Sequence, residues 1–558
     1  MPSASPTPSS PPGTFCVIAD AASGSLLAYR IANIGVWLDE EESLLAKRAA
    51  EKLGVEARSV SNVRVVRKIL DARKRNHPRF VYMVDVDVEP GKRMPAVSGD
   101  VQLSPEPDPV LPSVRAPDKM PIIIGAGPAG LFAALGLLER GVRSIMVDRG
   151  KPVSPRRRDV AKLFREGTLD PESNMNFGEG GAGAYTDGKL STRVTHPQVR
   201  KVVETFSRFA NLDRILTEGK PHVGSDLLPG AISAFRMHLE EQGCQVIWNE
   251  RVEDLLYRDG RCVGVRLRSG GTLESDRVIL APGNSAREFY ERFAADGKIF
   301  IEPKPFAVGY RVEHPQELID SLQYGQACGN PKLPPADYKL AENPLVEGKP
   351  RGVYSFCMCP GGIVVPTPTE EGMQCTNGMS NSHRSAKFAN AGIVAAVSLE
   401  DFGREGFHGP LAGLEWQRKW ERTAFELGGG KYFAPAAKVS DFLAGKASTA
   451  LGDTTYRPGL TPSDLSRLYP ETVQVALKQA LTGFDRKMRG FGSGQGVLIG
   501  IEARTSSPLR VTRGEDMQSV NLKGLYPAGE GCGYAGGIVS AAVDGLRVAE
   551  RICEELAA

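Results

Sequence analysis

The stretch Ile122-Ile123-Ile124-Gly125-Ala126-Gly127-Pro128-Ala129-Gly130 decides the fold. Three β-branched residues predict a short buried strand. The glycines then follow at G-x-G-x-x-G spacing, and Leu131–Arg140 reads as a helix. Gly125 suits a tight turn, Gly127 lets the backbone approach a pyrophosphate, and Gly130 lets helix and strand pack closely. The helix start offers free N–H groups and a positive dipole end to phosphates. A second apolar run, Ser144–Val147, ends in Asp148, 18 residues after Gly130. A carboxylate there accepts ribose hydroxyls. Strand, turn, helix, strand and acid together predict a dinucleotide-binding Rossmann-type unit.

Later segments extend this unit. Arg277–Leu280 is a strand-like run ending in Ala281-Pro282-Gly283. Gly524-Leu-Tyr-Pro-Ala528-Gly529-Glu530-Gly531 leads through Gly536-Gly537-Ile538 into a final helix over roughly 537–555. Its apolar spacing suggests that it closes the domain that Met120 opens. A second formal match, Gly178-Glu179-Gly180-Gly181-Ala182-Gly183, lacks a preceding strand and a following helix. It reads instead as a glycine-rich loop that brings backbone N–H groups to a ligand. The expected fold is therefore α/β, with one Rossmann-type domain in two parts, 120–301 and 490–558. The intervening 302–489 is expected to be an inserted substrate or cap domain.

Before Met120 the composition changes. Residues 1–14 are Pro/Ser/Thr-rich and uncharged, and read as a disordered tail. Residues 15–89 read as a small α/β module of ferredoxin-like type. Strand-like runs lie at Cys16–Ile18, Leu26–Val36, Val63–Ile69 and Phe80–Val88. The helix between them starts at Asp39–Glu42, repeats at Leu45, Ala49 and Leu53, and stops at Gly54. Residues 90–119 hold seven prolines and read as an extended linker.

Bulk composition excludes several classes. The net charge of +3 in 558 residues argues against a bulk polyanion binder. Arg64, Arg67, Lys68, Arg73, Lys74, Arg75 and Arg79, beside Phe80 and Tyr82, raise the question of an RNA-binding sheet. The full aromatic signature is missing, however, and nucleic-acid binding is not expected. Nine cysteines are too few for a disulfide scaffold, which favours a reducing compartment. No secretory signal is legible. The uncharged run Met120–Leu138 is broken by Pro121, Gly125, Gly127, Pro128, Gly130 and Gly136, so no membrane span is expected. The expected location is cytoplasmic, with a plastid as the alternative for a photosynthetic eukaryote. Nothing in the sequence fixes the oligomeric state.

The distal segments resemble the FAD-binding fold of glutathione-reductase-like flavoproteins. Longer motifs resemble one family more closely. They are Asn176–Lys189, Lys220–Asp226, Phe356-Cys-Met-Cys-Pro-Gly-Gly362, Asn377–Ser380, Glu502-Ala-Arg-Thr-Ser-Ser-Pro508, Gly524–Glu550 and Leu70–Lys74. That family comprises largely uncharacterised FAD-dependent dehydrogenases that also carry an N-terminal α/β module. The similarity runs from about Leu26 to Arg551. Asp148 stands where Glu is more usual, and Cys532 where Ala is. The resemblance implies FAD as cofactor. The cofactor-binding residues it implies are Gly125, Gly127, Pro128, Ala129, Gly130, Asp148, Arg149, Gly180, Gly181, Gly183, Val252, Ala281, Gly283, Gly529, Glu530, Gly536, Gly537 and Ile538.

Candidates for chemistry are Lys189, Arg504 and Cys357. Lys189 follows the glycine-rich loop; it either stabilises negative charge on a reduced flavin or is a solvated loop residue paired with Asp187. Arg504 either clamps a substrate carboxylate or pairs with Glu502 or another acid. Cys357 and Cys359 either sit at a strand end or form a redox dithiol, against which the close Cys-x-Cys spacing argues. No His/Cys cluster completes a four-ligand metal site. His383 and Arg384 fall in a loop, and His222 and His314 read as structural. The expected function is an FAD-dependent oxidoreductase acting on a small molecule, with NAD(P)H as a transient electron donor. The alternatives are an FAD-dependent monooxygenase and a flavin-bearing RNA-binding or assembly protein.

Overall fold

Ile122–Ile124, none more than 6% exposed, form the central strand of a five-stranded parallel sheet. The strand order is Leu525–Pro527, Val278–Leu280, Ile122–Ile124, Ile145–Val147, Gln245–Ile247. Continuous apolar runs suit strands covered on both faces. This computed structural model describes residues 27–89, 97, 99–105 and 111–558. The expected tail 1–14, the strand at Cys16–Ile18 and several of the linker prolines lie outside the described residues. The chain divides into two compact units, one of Met1–Lys68 and Arg79–Pro107, the other of Ile69–Pro78 and Asp108–Ala558.

Helices Pro128–Leu138 and Ile538–Ala557 pack together against the parallel sheet. Small residues set their close approach. A Cβ on Gly545 would stand 2.1 Å from the Ala129 carbonyl oxygen, and one on Gly136 would stand 2.8 Å from the Ala549 Cβ. The helix after the glycine turn and the last helix therefore belong to one layer, although about 400 residues separate them.

Between Leu280 and Leu525 the chain builds an eight-stranded sheet. Its centre is Val353–Pro366, Phe388–Val397, Phe306–Pro315 and Val497–Glu502, all antiparallel. The last of these strands overturns the expected boundary at 489/490. Val497–Glu502 takes its ladder bonds from Phe306–Pro315, with Arg311 opposite Ile499. Helices Ala412–Leu427 and Glu471–Lys487 bury Trp416, Trp420, Ala476 and Leu477 against this sheet.

In the smaller unit, four antiparallel strands lie in the order Val60–Asp71, Arg79–Val88, Leu27–Trp37, Val101–Leu103. Helix Leu44–Leu53 buries Leu45, Ala49 and Leu53 with Tyr82 and Val84, and stops at Gly54 in the left-handed conformation (φ 69°). One helix is present among the described residues, where a full ferredoxin-like unit has two. The expected linker 90–119 also needs correction, because Val101–Leu103 pairs with Tyr29–Ile31 as an edge strand. The expected module 15–89 loses Ile69–Pro78 to the larger unit, where Leu70 and Ala72 pack on the core of the eight-stranded sheet. Tyr82 is buried and donates to Glu42 at 2.7 Å, so it offers no face for base stacking. Arg64, Lys68 and Arg73 are paired with Asp87, Glu42 and Asp71.

Candidate functional site

The glycine turn opens into a cavity of about 1420 Å³. That exceeds the roughly 300–1,000 Å³ that usually holds a drug-sized ligand. Every expected cofactor residue lines it except Gly130 and Gly180. Those two are packing positions. A Cβ on Gly130 would meet the Gly125 carbonyl oxygen at 2.0 Å, and one on Gly180 would meet Ile232 at 2.7 Å. Gly125 takes φ +103° and its amide donates to the Val147 carbonyl at 2.8 Å. Around Gly127 the space is open: the nearest protein atom to an added Cβ is the Gly181 Cα at 3.9 Å. No protein atom lies within 4 Å of a Cβ on Gly283, Gly536 or Gly537. Three backbone segments therefore present bare surface to one cavity.

Asp148 is 7% exposed. Its carboxylate accepts the Ala126 amide and the Gly150 amide, both at 2.8 Å. It braces the turn, and each oxygen keeps a lone pair for a further donor. The second glycine loop is fastened to the first by the Gly180 amide, which donates to the Ala126 carbonyl at 2.8 Å. Arg156, fully buried, holds that loop from behind. It donates to the carbonyls of Asn174, Glu179 and Gly181 at 2.8, 2.6 and 2.8 Å. Burial pushes its pKa down to about 10, because none of its hydrogen bonds goes to a carboxylate. Sequence reading missed Arg156, which is indistinguishable from Arg157 and Arg158 beside it. Arg149 lies over the Phe177 ring and pairs with Glu172 at 2.6 Å and with Glu288.

Glu530 is half-buried in the cavity wall and accepts from Asn284 at 2.9 Å. Burial raises its pKa to about 7, against the opposing charge of Lys304. Lys304, also missed in the sequence, donates to the Gly533 carbonyl at 3.3 Å. The Gly529 amide donates to Asp544 at 2.8 Å, and Asp544 is held by Arg513 at 2.6 Å.

The candidates for chemistry separate. Arg504 donates to Glu421 through Nε and Nη2, both at 2.8 Å, and to Ser285 and Thr369. Glu421 also accepts two bonds from Arg287 at 2.8 and 2.9 Å. Of the two readings of Arg504 the structure favours pairing with an acid over a substrate clamp: its donors are committed, and the acid is Glu421 rather than Glu502. This triad ties helix Arg287–Asp296 to helix Ala412–Leu427.

Lys189 and Cys357 do meet, at the other end of the cavity. The ammonium lies 2.6 Å from Asp187 Oδ2 and donates to Cys359 Sγ at 3.6 Å and Cys357 Sγ at 3.9 Å. Lys189 is thus paired rather than solvated. Burial opposes its charge, but Asp187 and the two sulfurs outweigh this and raise its pKa. Asp187, Cys357 and Cys359 gather three ligand-type atoms within 4.8 Å of one another. The Lys189 ammonium takes the place of a cation beside them. The strand pairing shifts register between Phe356 and Cys359, and Cys357 takes φ +44°. The alternation expected of a regular strand is therefore broken here.

Behind this group lies Arg311, fully buried, with Asn390, Cys357 and Asn377 oxygens at 3.0, 3.1 and 3.2 Å. Glu502 stands 3.5 Å from it, lines the cavity and has no hydrogen-bond partner on Oε2. Burial raises its pKa to about 7, with Arg311 opposing and Cys357 adding. His222 is buried near this group, and burial lowers its pKa to about 4. His314 bonds to the Phe491 carbonyl at 2.8 Å, away from the cavity. Arg384 lines the cavity, whereas His383 is exposed.

A parallel sheet, a glycine turn and an acid at the next strand end define an FAD-binding protein when set beside the family models. Residues 120–272 match the FAD binding domain, and residues 305–505 match the C-terminal domain-like model of FAD-dependent proteins. Residues 29–87 match a domain of unknown function. An uncharacterized protein of Clostridium beijerinckii is 40% identical over 535 residues, covering 95% of this chain and 99% of the relative. The chain belongs to this family of FAD-dependent proteins. Protein FixC of Escherichia coli K12 is 29% identical over 218 residues, 37% of this chain and 47% of that protein. Among solved structures, flavin-dependent brominase Bmp2 aligns with TM-score 0.34 at 11% identity, over 79% of each chain. Among the described residues, no helix is long and apolar enough to cross a membrane.

Proposed function

We infer that this protein is an FAD-dependent oxidoreductase, a dehydrogenase or reductase, that works on a small molecule through a noncovalently held flavin. The observation that carries this reading is the open cradle at Gly127, facing Gly181, in a cavity that also reaches Glu530 and the Gly536-Gly537 helix start. The bare backbone at Gly127 and Gly181 fits a pyrophosphate. Asp148 keeps acceptor capacity for ribose hydroxyls. Glu530 and Asn284 offer acceptor and donor groups to a polyol chain. The N-terminus of helix Ile538–Ala557 directs free amides at an electron-rich ring edge. When bound, the flavin supplies the hydride or electron transfer; the protein supplies orientation and electrostatics.

The eight-stranded sheet is read as an inserted cap that carries the substrate end of the cavity. Glu502, with an oxygen that makes no hydrogen bond and a raised pKa, is the group there best suited to hold or move a proton near neutral pH. One nucleotide unit implies that NAD(P)H, if it is the donor, binds only transiently. The strand order of the smaller unit is that of a ferredoxin-like sheet, and we read it as an accessory module rather than a nucleic-acid platform.

The test is purification with flavin quantified per chain, followed by anaerobic reduction against a metabolite panel and against NADH and NADPH. FAD bound at one per chain and reduced by a panel member fits the reading. A protein that neither carries nor takes up FAD overturns it. Reduction followed by oxygen consumption with a hydroxylated product would instead favour a monooxygenase.

A further inference from the structure

The cysteines at the cap end of the cavity differ from the other thiols among the described residues in three ways. First, they converge. A regular strand would hold residues two apart about 7 Å from one another, but with the register shift and the left-handed backbone of Cys357 the two sulfurs lie within 4.8 Å of each other and of an Asp187 oxygen. A non-glycine residue at positive φ is uncommon and strained, and such strain persists where surrounding structure holds it. Here the Cys357 carbonyl accepts from Arg311 at 3.1 Å and lies 3.3 Å from the Cys359 sulfur.

Second, their exposure is graded. Cys357 lines the cavity and is half-buried, whereas Cys359 lies behind it with no exposed surface. That is the order needed for an attacking thiol and a resolving thiol. Third, one cation serves both sulfurs. Lys189 donates to each, while Asp187 accepts from Lys189 and its other contact here, the Cys359 sulfur, lies 3.5 Å away. Thiolates form in such electropositive, partly open surroundings, whereas buried structural cysteines are inert. Cys262, Cys375, Cys532 and Cys553 are buried with raised pKa values, as the inert class should be.

We propose that Cys357 and Cys359 form a redox-active dithiol that reduces a low-molecular-weight disulfide entering the cavity, with Cys357 attacking, Cys359 resolving and Lys189 holding the developing thiolate. The Cys357 thiolate attacks one sulfur of the organic disulfide R–S–S–R. A new S–S bond forms to Cys357, and one RS⁻ leaves. That thiolate takes the proton of the Cys359 thiol. The Cys359 sulfur then attacks Cys357 Sγ, closing the protein disulfide and expelling the second RS⁻. The dithiol has lost two electrons, and the substrate disulfide has gained them to become one thiol and one thiolate, the latter taking up from solvent the proton that Cys357 gave up on ionising. Lys189 first stabilises the attacking sulfur and then the one that resolves. The step stands on the protein's own sulfurs and is independent of the flavin reading.

The experiment treats the full-length protein with glutathione disulfide, followed by intact-mass measurement and peptide mapping. The expected wild-type product is a Cys357–Cys359 disulfide without glutathione attached at either sulfur. Cys359→Ser should trap a stable glutathione adduct on Cys357. Cys357→Ser should give neither product at this pair. The exposed Cys328 supplies an internal reference in the same maps. The double variant Lys189→Met with Asp187→Asn keeps the charge balance and should slow adduct formation at pH 7 by about tenfold, because the thiolate attacks. Cys359→Ala repeats the trap should serine disturb the site. The proposal is overturned if Cys328 alone reacts in the wild type, or if folded Cys359→Ser and Cys359→Ala both leave Cys357 unmodified.

Discussion

The carbonyl oxygen of Gly125 lies 2.0 Å from where a Cβ on Gly130 would stand. The same turn leaves a Cβ on Gly127 clear of protein by 3.9 Å. Two glycines of one motif thus answer to different demands. Gly130→Ala should damage the fold, because backbone must shift to admit the methyl. Gly127→Val should leave the fold intact and empty the flavin site, because its side chain fills the phosphate approach. Flavin content per chain and thermal melting, measured together, separate the two. A folded Gly127→Val protein with full flavin would refute the placement.

Glu421 is buried between Arg287 and Arg504. Removing one partner of a buried ion pair typically costs about 3–5 kcal/mol, and Glu421→Gln would leave two guanidinium groups without their carboxylate. We expect a loss of that order in denaturant unfolding. The pH dependence has a definite sign. Burial opposes the Glu421 charge, but Arg287 and Arg504 hold its pKa below the ordinary carboxylate range. Its contribution is therefore complete above the unfolded carboxylate pKa and is lost as pH falls through the folded one. Glu421→Gln should remove that acid-side slope.

Glu502 has the opposite sign. Its pKa rises to about 7 through burial, with Arg311 opposing and Cys357 adding; Cys375 also faces it. Stability associated with the protonated form is full below the unfolded carboxylate pKa and is lost as pH rises towards the folded value. Between these limits the folded state binds one more proton at this site. Glu502→Gln should reduce the negative slope of stability with pH by up to about 1.4 kcal/mol per pH unit. An unchanged slope would mean that Glu502 stays ionised in the fold.

A fragment beginning at Leu111 should keep flavin, since every residue around the glycine cradle follows it. It should nevertheless be less stable than the whole chain. Leu70 and Ala72 pack on the core of the eight-stranded sheet and would be lost. Uncovering two partly buried apolar side chains costs roughly 1–3 kcal/mol. Adding back a peptide covering Ile69–Pro78 should recover part of that loss. A folded fragment without flavin would show that the cofactor site extends into the deleted residues.

The nucleotide half was legible because its signals are local. Ile122–Gly130, Asp148 and Gly536-Gly537 each announce a turn, an acid or a helix start within a few residues. What escaped reading depends on partners far along the chain. Arg504 meets Glu421, 83 residues away, and nothing at the Arg-Thr-Ser-Ser-Pro segment names that acid. Val497–Glu502 looked like part of the closing Rossmann half, but its ladder partner begins at Phe306. The hairpin tip between Lys68 and Arg79 hides a reassignment of the same kind, since such a tip can pack on a unit other than the one its strands build. At Cys357 a period-2 strand reading failed because a bulge breaks the alternation, and bulges leave no reliable mark in a single sequence.

The last prediction concerns the pH at which Cys357 reacts. Its thiol is held below the ordinary range, first by the hydrogen bond from Cys359, then by Lys189 and Arg311, against burial and Asp187. The Cys328 thiol is shifted up by burial and by Asp320 and Glu317. Glu502 and Glu530 feel the Cys357 charge, and His222 feels Lys189 and Asp187, so all face the same electrostatic centre. Iodoacetamide labelling followed by peptide mapping reads both thiols at once. The rate at Cys357 should reach its plateau at lower pH than the rate at Cys328, because only the thiolate attacks. Cys359→Ala should move the Cys357 profile up by removing its largest stabilising contact. The Lys189→Met, Asp187→Asn double variant should move it further towards an ordinary thiol. Coincident profiles for Cys357 and Cys328 in the wild type would show that the cluster holds no thiolate, and Lys189 would then serve only to neutralise Asp187.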